Sequence, residues 1–331
     1  MKQRIEYIDF FRGIGIILMV MCHVGFGITF YKFCHAFHMP MFFVITGYFF
    51  KFCALKQFIC KKAKTLLAPY CTFGALQYML WFGLHISDSY DNKLLHLKSF
   101  LFSNTDGYLV GGALWFLTSL FFAEMIYYFL NKLSADNKMI LSLACLLVGI
   151  FGSIYPQIVV YRLPWGIDSA LVGVLLIHIG FLFRTTSMEK CLNLKWKSSV
   201  ALFVLGSVVA LFNGSVNMRT MKYSNPIFFW LGLLLLTISL WNLCRLIINY
   251  VHKHDLFTFI RKVIASISYV GKNSIVYVCL NQFFISVVSL LIDLNASVYS
   301  QVLIFILVMI LLRVSVEILS VRKTRIVIGR F

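Results

Sequence analysis

The chain has 331 residues, 60% of them apolar and only 13% charged, and its mean hydropathy is +0.87. Soluble domains run about 45–50% apolar and about 25% charged, so one large soluble domain, two small ones, a disordered chain, a collagen-like repeat and a small disulfide scaffold are excluded. The formal net charge is +18, from 30 Lys and Arg against 12 Asp and Glu; in so apolar a chain that excess points to membrane orientation and anionic lipid, not to nucleic acid.

A spanning helix takes about 20 apolar residues, and the apolar inventory suits about ten of them. Ten apolar stretches follow one another, at 10–30, 39–55, 66–84, 109–130, 139–155, 165–183, 199–213, 226–248, 267–290 and 298–321. The pattern predicts an all-α integral membrane protein: a bundle of about ten transmembrane helices, forming a single domain over 1–331 with no separate soluble domain. The first stretch carries Arg12 and His23, which suits a retained helix better than a cleaved signal peptide. None of the nine cysteines forms a C-x-x-C pair, and buried free thiols are expected.

Loop charge tests the count. With the N-terminus inside and ten helices alternating, twenty-one Lys and Arg fall on inside segments and six on outside ones. The inside set includes Lys2 and Arg4, the run from Lys51 to Lys64, and Arg322, Lys323, Arg325 and Arg330. Short cytoplasmic loops carry such an excess, so both termini are expected to be cytoplasmic.

Ionisable groups inside a bilayer are costly and mark cavities. In the first stretch Arg12 and His23 are 11 positions apart. At about 100° and 1.5 Å per residue, they share one helix face and stand roughly 16 Å apart along the axis. Gly13 and Gly15 beside them permit close approach of a helix or a ligand. His35 and His38 follow in the first outer loop. His38, next to Pro40 at a helix entry, is placed near His23, and two imidazoles there could act as base and orienter. His35 reads as a solvated loop residue.

After the second stretch, the lysines from Lys56 to Lys64 read either as membrane-face anchors or as a phosphate-binding patch, with Lys61 and Lys64 one turn apart. Later stretches hold isolated polar groups: Glu124, Asp168, His178, Asn281 and Gln282, and an Arg313/Glu317 pair at i, i+4 that reads as mutual neutralisation. There is no P-loop, dinucleotide fingerprint, nucleophile elbow or zinc-protease motif, and no metal site is expected.

Within the first 50 residues stand Ile8-Asp9-Phe10-Phe11-Arg12-Gly13, His23, and Phe37-His38-Met39-Pro40-Met41-Phe42-Phe43-Val44-Ile45-Thr46-Gly47-Tyr48. This pattern resembles the acyltransferase-3 family of integral membrane acyltransferases. Lys61 to Tyr70 is similar to the family's basic segment ending in Pro-Tyr. Leu114-Trp115-Phe116-Leu117 and Gly271-Lys272-Asn273-Ser274 resemble two later motifs, and Leu163 to Asp168 resembles the subset related to fucose 4-O-acetylases. One departure is local. Many relatives place a His about seven residues after the Gly-basic-Asn-Ser motif, where this chain has Leu280-Asn281-Gln282.

The resemblance implies a membrane O-acyltransferase of the inner (cytoplasmic) cell membrane. It would move an acetyl group from cytoplasmic acetyl-CoA to a hydroxyl of an envelope polysaccharide or lipid-linked sugar. Arg12, with Lys61 and Lys64, would bind the CoA phosphates. His23 would serve as general base or transient acyl acceptor, and His38 would orient the acceptor. Asp9, Trp115, Glu124 and Asp168 are the further candidates for substrate contact. A transporter or flippase that moves a glycan or lipid precursor without chemistry is the competing function, although no two-fold repeat is visible.

Overall fold

In the computed structural model, α1 (Glu6–Val24) covers most of the first apolar stretch and stops where Gly25 takes a left-handed φ of 99°. α2 (Ile28–His35) and α3 (Pro40–Tyr48) follow, and Pro40 opens α3 where its missing N–H costs nothing. α4 (Leu55–Lys62) runs through a π-helical turn at 63–67 into α5 (Ala68–Leu84). Pro69 cannot donate back to the preceding turn, and the widened turn absorbs the fault. Next come α6 (Tyr90–Phe102), α7 (Trp115–Leu133) and α8 (Lys138–Ile158), the last capped by the Asn137 side chain. A short turn, Pro164–Gly166, leads into α9 (Ile167–Thr185). α10 (Trp196–Asn213), α11 (Pro226–Lys253), α12 (Thr258–Lys272), α13 (Ser274–Ser289) and α14 (Val298–Leu319) complete the series. The structure describes residues 5–102, 112–135, 137–254, 258–294, 297–321 and 328. Lys2, Arg4, Arg322, Lys323, Arg325 and Arg330, all used in the charge argument, lie outside them.

The all-α expectation holds among the described residues, where the sole β pairing is an isolated bridge between Asn217 and Lys222. Among the same residues, six helices are long and apolar enough to cross a membrane: α1, α8, α9 with its preceding turn, α10, α11 and α14. α12 and α13 make a seventh if the bent pair counts as one span. The other expected stretches differ in form. The 39–55 stretch holds only the nine-residue α3. That is about 13 Å of helix against a hydrocarbon core of about 30 Å. The 267–290 stretch is broken at Asn273, where the axis turns by 86°. Hydropathy registers apolar length, not a bend, and the two ends of this stretch are held by different neighbours.

The neighbours explain the bend. α12 lies against α1 backbone to backbone: a Cβ on Gly13 would sit 2.0 Å from the Ile267 carbonyl oxygen, and one on Gly271 would sit 1.9 Å from that of Asp9. No side chain fits there, which gives Gly13 and Gly271 a physical reason. α13 then turns in against α1, α5 and α14. Gln77 of α5 donates to the Cys279 carbonyl at 2.6 Å and fixes that contact. α3 packs on α9, and an aromatic group joins its end to α1 and α11: Trp241 meets Phe11, Tyr48 and Tyr7 at ring distances of 5.6, 5.0 and 6.1 Å. All nine cysteines are free, as expected, but Cys60 and Cys71 are exposed. Arg313 and Glu317 pair at 3.2 Å.

Candidate active site

Two cavities share three helices, α1, α7 and α13. The first, about 290 Å³, is at the N-terminal end of α1. Arg12 enters it from α1, Thr46 from α3, Thr65 from the π turn, and Lys272, Asn273 and Ser274 from the α12–α13 bend. Arg12 is held in place by Asp9, whose carboxylate is 3.9 Å away, and by the Phe49 ring, 5.5 Å from the guanidinium carbon. Two cations and three hydroxyls surround one space, a set of groups chemically suited to phosphate oxygens. Lys61 and Lys64 are exposed and do not line the cavity; Lys64 stands next to Thr65, which does.

The second cavity, about 210 Å³, is at the C-terminal end of α1. His23, His35 and His38 all line it, with Trp115, Arg219 and Gln282 opposite. The expected meeting of His23 with His38 is found here. His35 departs from its expected solvated loop: it ends α2, stacks on Tyr31 at 3.7 Å and meets the His38 ring at 4.7 Å.

Hydrogen bonds set the state of each ring. His35 Nδ1 is 3.1 Å from the Tyr31 carbonyl, and His38 Nδ1 is 2.7 Å from the Cys34 carbonyl. A carbonyl only accepts, so each Nδ1 carries the proton. His23 Nδ1 lies 2.6 Å from Asn281 Oδ1. The Asn281 amide donates both its hydrogens, to the Tyr277 and Val278 carbonyls, each at 2.8 Å. Its oxygen is thereby fixed toward His23, and His23 Nδ1 must donate. In all three rings Nε2 is the remaining acceptor. Burial lowers the pKa of His35 from 6.5 to about 4, with His23 adding to the effect, and burial sets His38 well below 6.5. The pair is uncharged near neutral pH.

Opposite these acceptors stand a donor, Arg219, and a further acceptor, Gln282 Oε1. Arg219 is carried by the loop between α10 and α11. Gln282 Oε1 is buried in the lining without a hydrogen-bond partner among the described residues. A polar atom left so is costly unless a ligand hydroxyl meets it. Arg219, Gln282 and Asn281 were not assigned roles by sequence reasoning. Asn281 and Gln282 showed as intramembrane polar groups, but Arg219, on a loop, gave no signal.

The remaining candidates stand elsewhere. Trp115 lines the histidine cavity. Glu124 is buried and ion-paired with Lys62, away from both cavities. Asp168 is fully buried and 2.5 Å from Arg162 Nε. Arg162 in turn donates to the Arg219 carbonyl at 2.8 Å, and Ser169 donates to that of Met218 at 2.9 Å. Asp168 thus braces the loop that carries Arg219. Among the described residues no group of three His, Cys, Asp or Glu side chains is arranged to hold a metal ion.

No curated protein and no solved structure matches the chain. A family model described as an acyltransferase domain matches residues 5–317, nearly the whole length, and the chain belongs to that acyltransferase-3 family, a multi-pass membrane acyltransferase by its apolar helices.

Proposed function

We propose that this protein is a membrane O-acetyltransferase that takes acetyl from cytoplasmic acetyl-CoA and places it on a hydroxyl of an envelope polysaccharide or lipid-linked sugar. The observation that carries the reading is the pair of cavities on one set of three helices, α1, α7 and α13, with Arg12 in one and His23 in the other. Arg12 and Lys272 hold the CoA phosphates at the cytoplasmic side, with Lys64 at the rim. The pantetheine arm is long enough to follow α1 from Arg12 toward His23. His38, Trp115 and Gln282 receive the acceptor. His23 Nε2 takes the proton of the acceptor hydroxyl as its oxygen attacks the thioester carbonyl. The C–S bond breaks, and the departing CoA thiolate takes the proton that His23 Nε2 received, which returns the imidazole to its neutral form. Arg219 supplies N–H donors to the charge that develops on the carbonyl oxygen.

In this reading the chain is one transmembrane unit of the inner cell membrane with both termini cytoplasmic, and about ten segments enter the bilayer, the short α3 among them. The segment from Leu163 to Asp168 supports a place in the fucose 4-O-acetylase-like subset. The test uses membrane vesicles from producing cells, which contain the native acceptor. Vesicles supplied with radiolabelled acetyl-CoA should label the glycan fraction. His23→Ala and Arg12→Ala vesicles should not. Equal labelling by the His23→Ala vesicles refutes the reading.

A further inference from the structure

Three segments far apart in sequence meet at the histidine cavity. Gly112, in the turn that leads into α7, lines it together with Gln282 of α13 and Arg219 of the α10–α11 loop. A Cβ on Gly112 would lie 2.3 Å from Gln282 Oε1 and 2.7 Å from Arg219 Nη1, with Gln282 Cδ at 3.0 Å. The two polar ends thus share the space that a side chain would take, and they are neighbours of each other. The backbone does not call for glycine here. Among the described residues the glycines of positive φ are Gly25, Gly27, Gly166 and Gly214. Space alone gives Gly112 its reason. At Gly13 and Gly271 a Cβ meets backbone carbonyls, which cannot yield. At Gly112 it meets the far ends of two flexible side chains, so an alanine would move those ends and leave the fold intact.

We propose that Gly112 is a specificity-determining residue of the acceptor site: bearing no side chain, it lets Gln282 Oε1 and Arg219 Nη1 close together on a second hydroxyl of the acceptor, beside the one that is acylated. The proposal rests on the acceptor side and the base given above to this cavity. The chemistry of the two groups selects their partner. An amide oxygen only accepts and a guanidinium only donates. Gln282 Oε1 is buried with no hydrogen-bond partner among the described residues, so it needs a donor. A hydroxyl both donates and accepts, and it answers the two groups at once. A carboxylate would answer Arg219 and set an oxygen against Gln282 Oε1. An ammonium would answer Gln282 and face a cation. The five N–H donors of a guanidinium are enough for this hydroxyl and for the reacting carbonyl, and His23 Nε2 is left for the hydroxyl that attacks. The acceptor unit is therefore a neutral polyhydroxyl sugar, held at two hydroxyls.

The experiment uses vesicles containing the full chain and the native acceptor, supplied with radiolabelled acetyl-CoA at several acceptor concentrations. His23→Ala vesicles provide the blank, and the CoA affinity of each purified variant is measured by calorimetry. Gly112→Ala should raise the acceptor KM about tenfold, the scale of one hydrogen bond lost by a buried group, with CoA affinity unchanged. Gln282→Leu should do the same. Both act on one contact, so the double variant should cost little more than Gln282→Leu alone. Gln282→Glu keeps an accepting oxygen at the same reach and should transfer faster than Gln282→Leu and no faster than wild type. A normal acceptor KM in Gly112→Ala, or a double variant as costly as the two losses multiplied, overturns the role of Gly112 and leaves the acyltransfer reading standing. Gln282→Glu slower than Gln282→Leu means an anionic group on the acceptor, and faster than wild type a cationic one; either overturns the hydroxyl. Wild-type vesicles that label nothing above the blank overturn the acyltransfer reading, and this proposal falls with it.

Discussion

His23 Nδ1 lies 2.6 Å from Asn281 Oδ1, across 258 positions of sequence. Both amide hydrogens of Asn281 are given to carbonyls of its own helix, so its oxygen can only face the ring. This bond holds the His23 proton on Nδ1 and leaves Nε2 as the base. Asn281 is an amide and never titrates. A ring that rotates, or changes tautomer, presents the wrong nitrogen. Asn281→Leu should therefore lower kcat by about 100-fold, the scale of a general base put out of action, with the KM for acetyl-CoA unchanged. Asn281→Asp keeps an acceptor for Nδ1 and should recover part of the rate. Steady-state kinetics of the three forms decides it: Leu and Asp variants equally slow would assign Asn281 a packing role alone.

Arg12 and Lys272 reach one cavity from α1 and from the α12–α13 bend. Two cations on a polyphosphate act through charge, so their effect weakens in salt. Arg12→Ala should weaken CoA binding by about tenfold at low salt, or about 1.4 kcal/mol. Arg12→Lys should lose less, since a point charge replaces part of the guanidinium. Titration calorimetry at two ionic strengths reads both. CoA affinity unchanged in Arg12→Ala removes the phosphate role.

Much of this arrangement is legible in the sequence. The phase of Arg12 and His23 follows from helix geometry alone, and His38 is placed near His23 by Pro40, which marks the start of α3. What was hidden depended on contacts between distant segments. The break at Asn273 lies inside an unbroken apolar stretch, and only the meeting of Gly13 with Ile267 and of Gly271 with Asp9 forces α12 flat against α1. In the sequence Asp168 is an isolated acid within an apolar stretch, and the structure adds its buried pairing with Arg162. Its partner Arg162 was visible six residues earlier as an outside charge, and an acid with so near a base pairs locally. Arg219 sits on a loop that periodicity does not read.

The membrane orientation can be checked by the chain's own chemistry. If the basic segments are cytoplasmic, an impermeant thiol reagent added to intact cells should label Lys93→Cys, in the segment after α5, and miss Lys190→Cys, between α9 and α10. The native Cys60 and Cys71 are exposed and are first changed to Ser. Labelling of Lys190→Cys and not Lys93→Cys inverts the topology.

Asp168 has a different test, because it touches the site only through Arg162 and the loop. Asp168→Asn keeps the size of the side chain and removes the charge that holds Arg162. The loop carrying Arg219 should loosen, and the KM for the acceptor should rise several-fold. CoA affinity should be unaffected, since the Arg12 cavity shares no residue with this brace. A direct substrate ligand would differ in one respect: Arg162→Gln would then leave the acceptor KM unchanged. The brace predicts the same rise for both variants, and for the double variant no further rise.

His38 and His35 close the same cavity and should separate by function. His38 is buried, and its Nδ1 is tied to the Cys34 carbonyl at 2.7 Å. Its ring cannot turn without breaking that bond, so its Nε2 is a fixed acceptor for the incoming hydroxyl. His35 is half-buried, stacked on Tyr31, and holds a longer bond of 3.1 Å. It forms the side wall of the cavity, edge-on to His38. His38→Ala should cut kcat by about 100-fold, as expected for a group that aligns the reacting hydroxyl. His35→Ala should raise the acceptor KM a few-fold with little change in kcat. Because burial keeps His35 neutral down to about pH 4, neither ring should contribute a titration to the rate between pH 6 and 8. Glycan labelling by vesicles at several acceptor concentrations separates KM from kcat. A His35→Ala variant that loses kcat as heavily as His38→Ala would make the two rings one catalytic unit, and a His38→Ala variant of normal rate would move the acceptor away from α3.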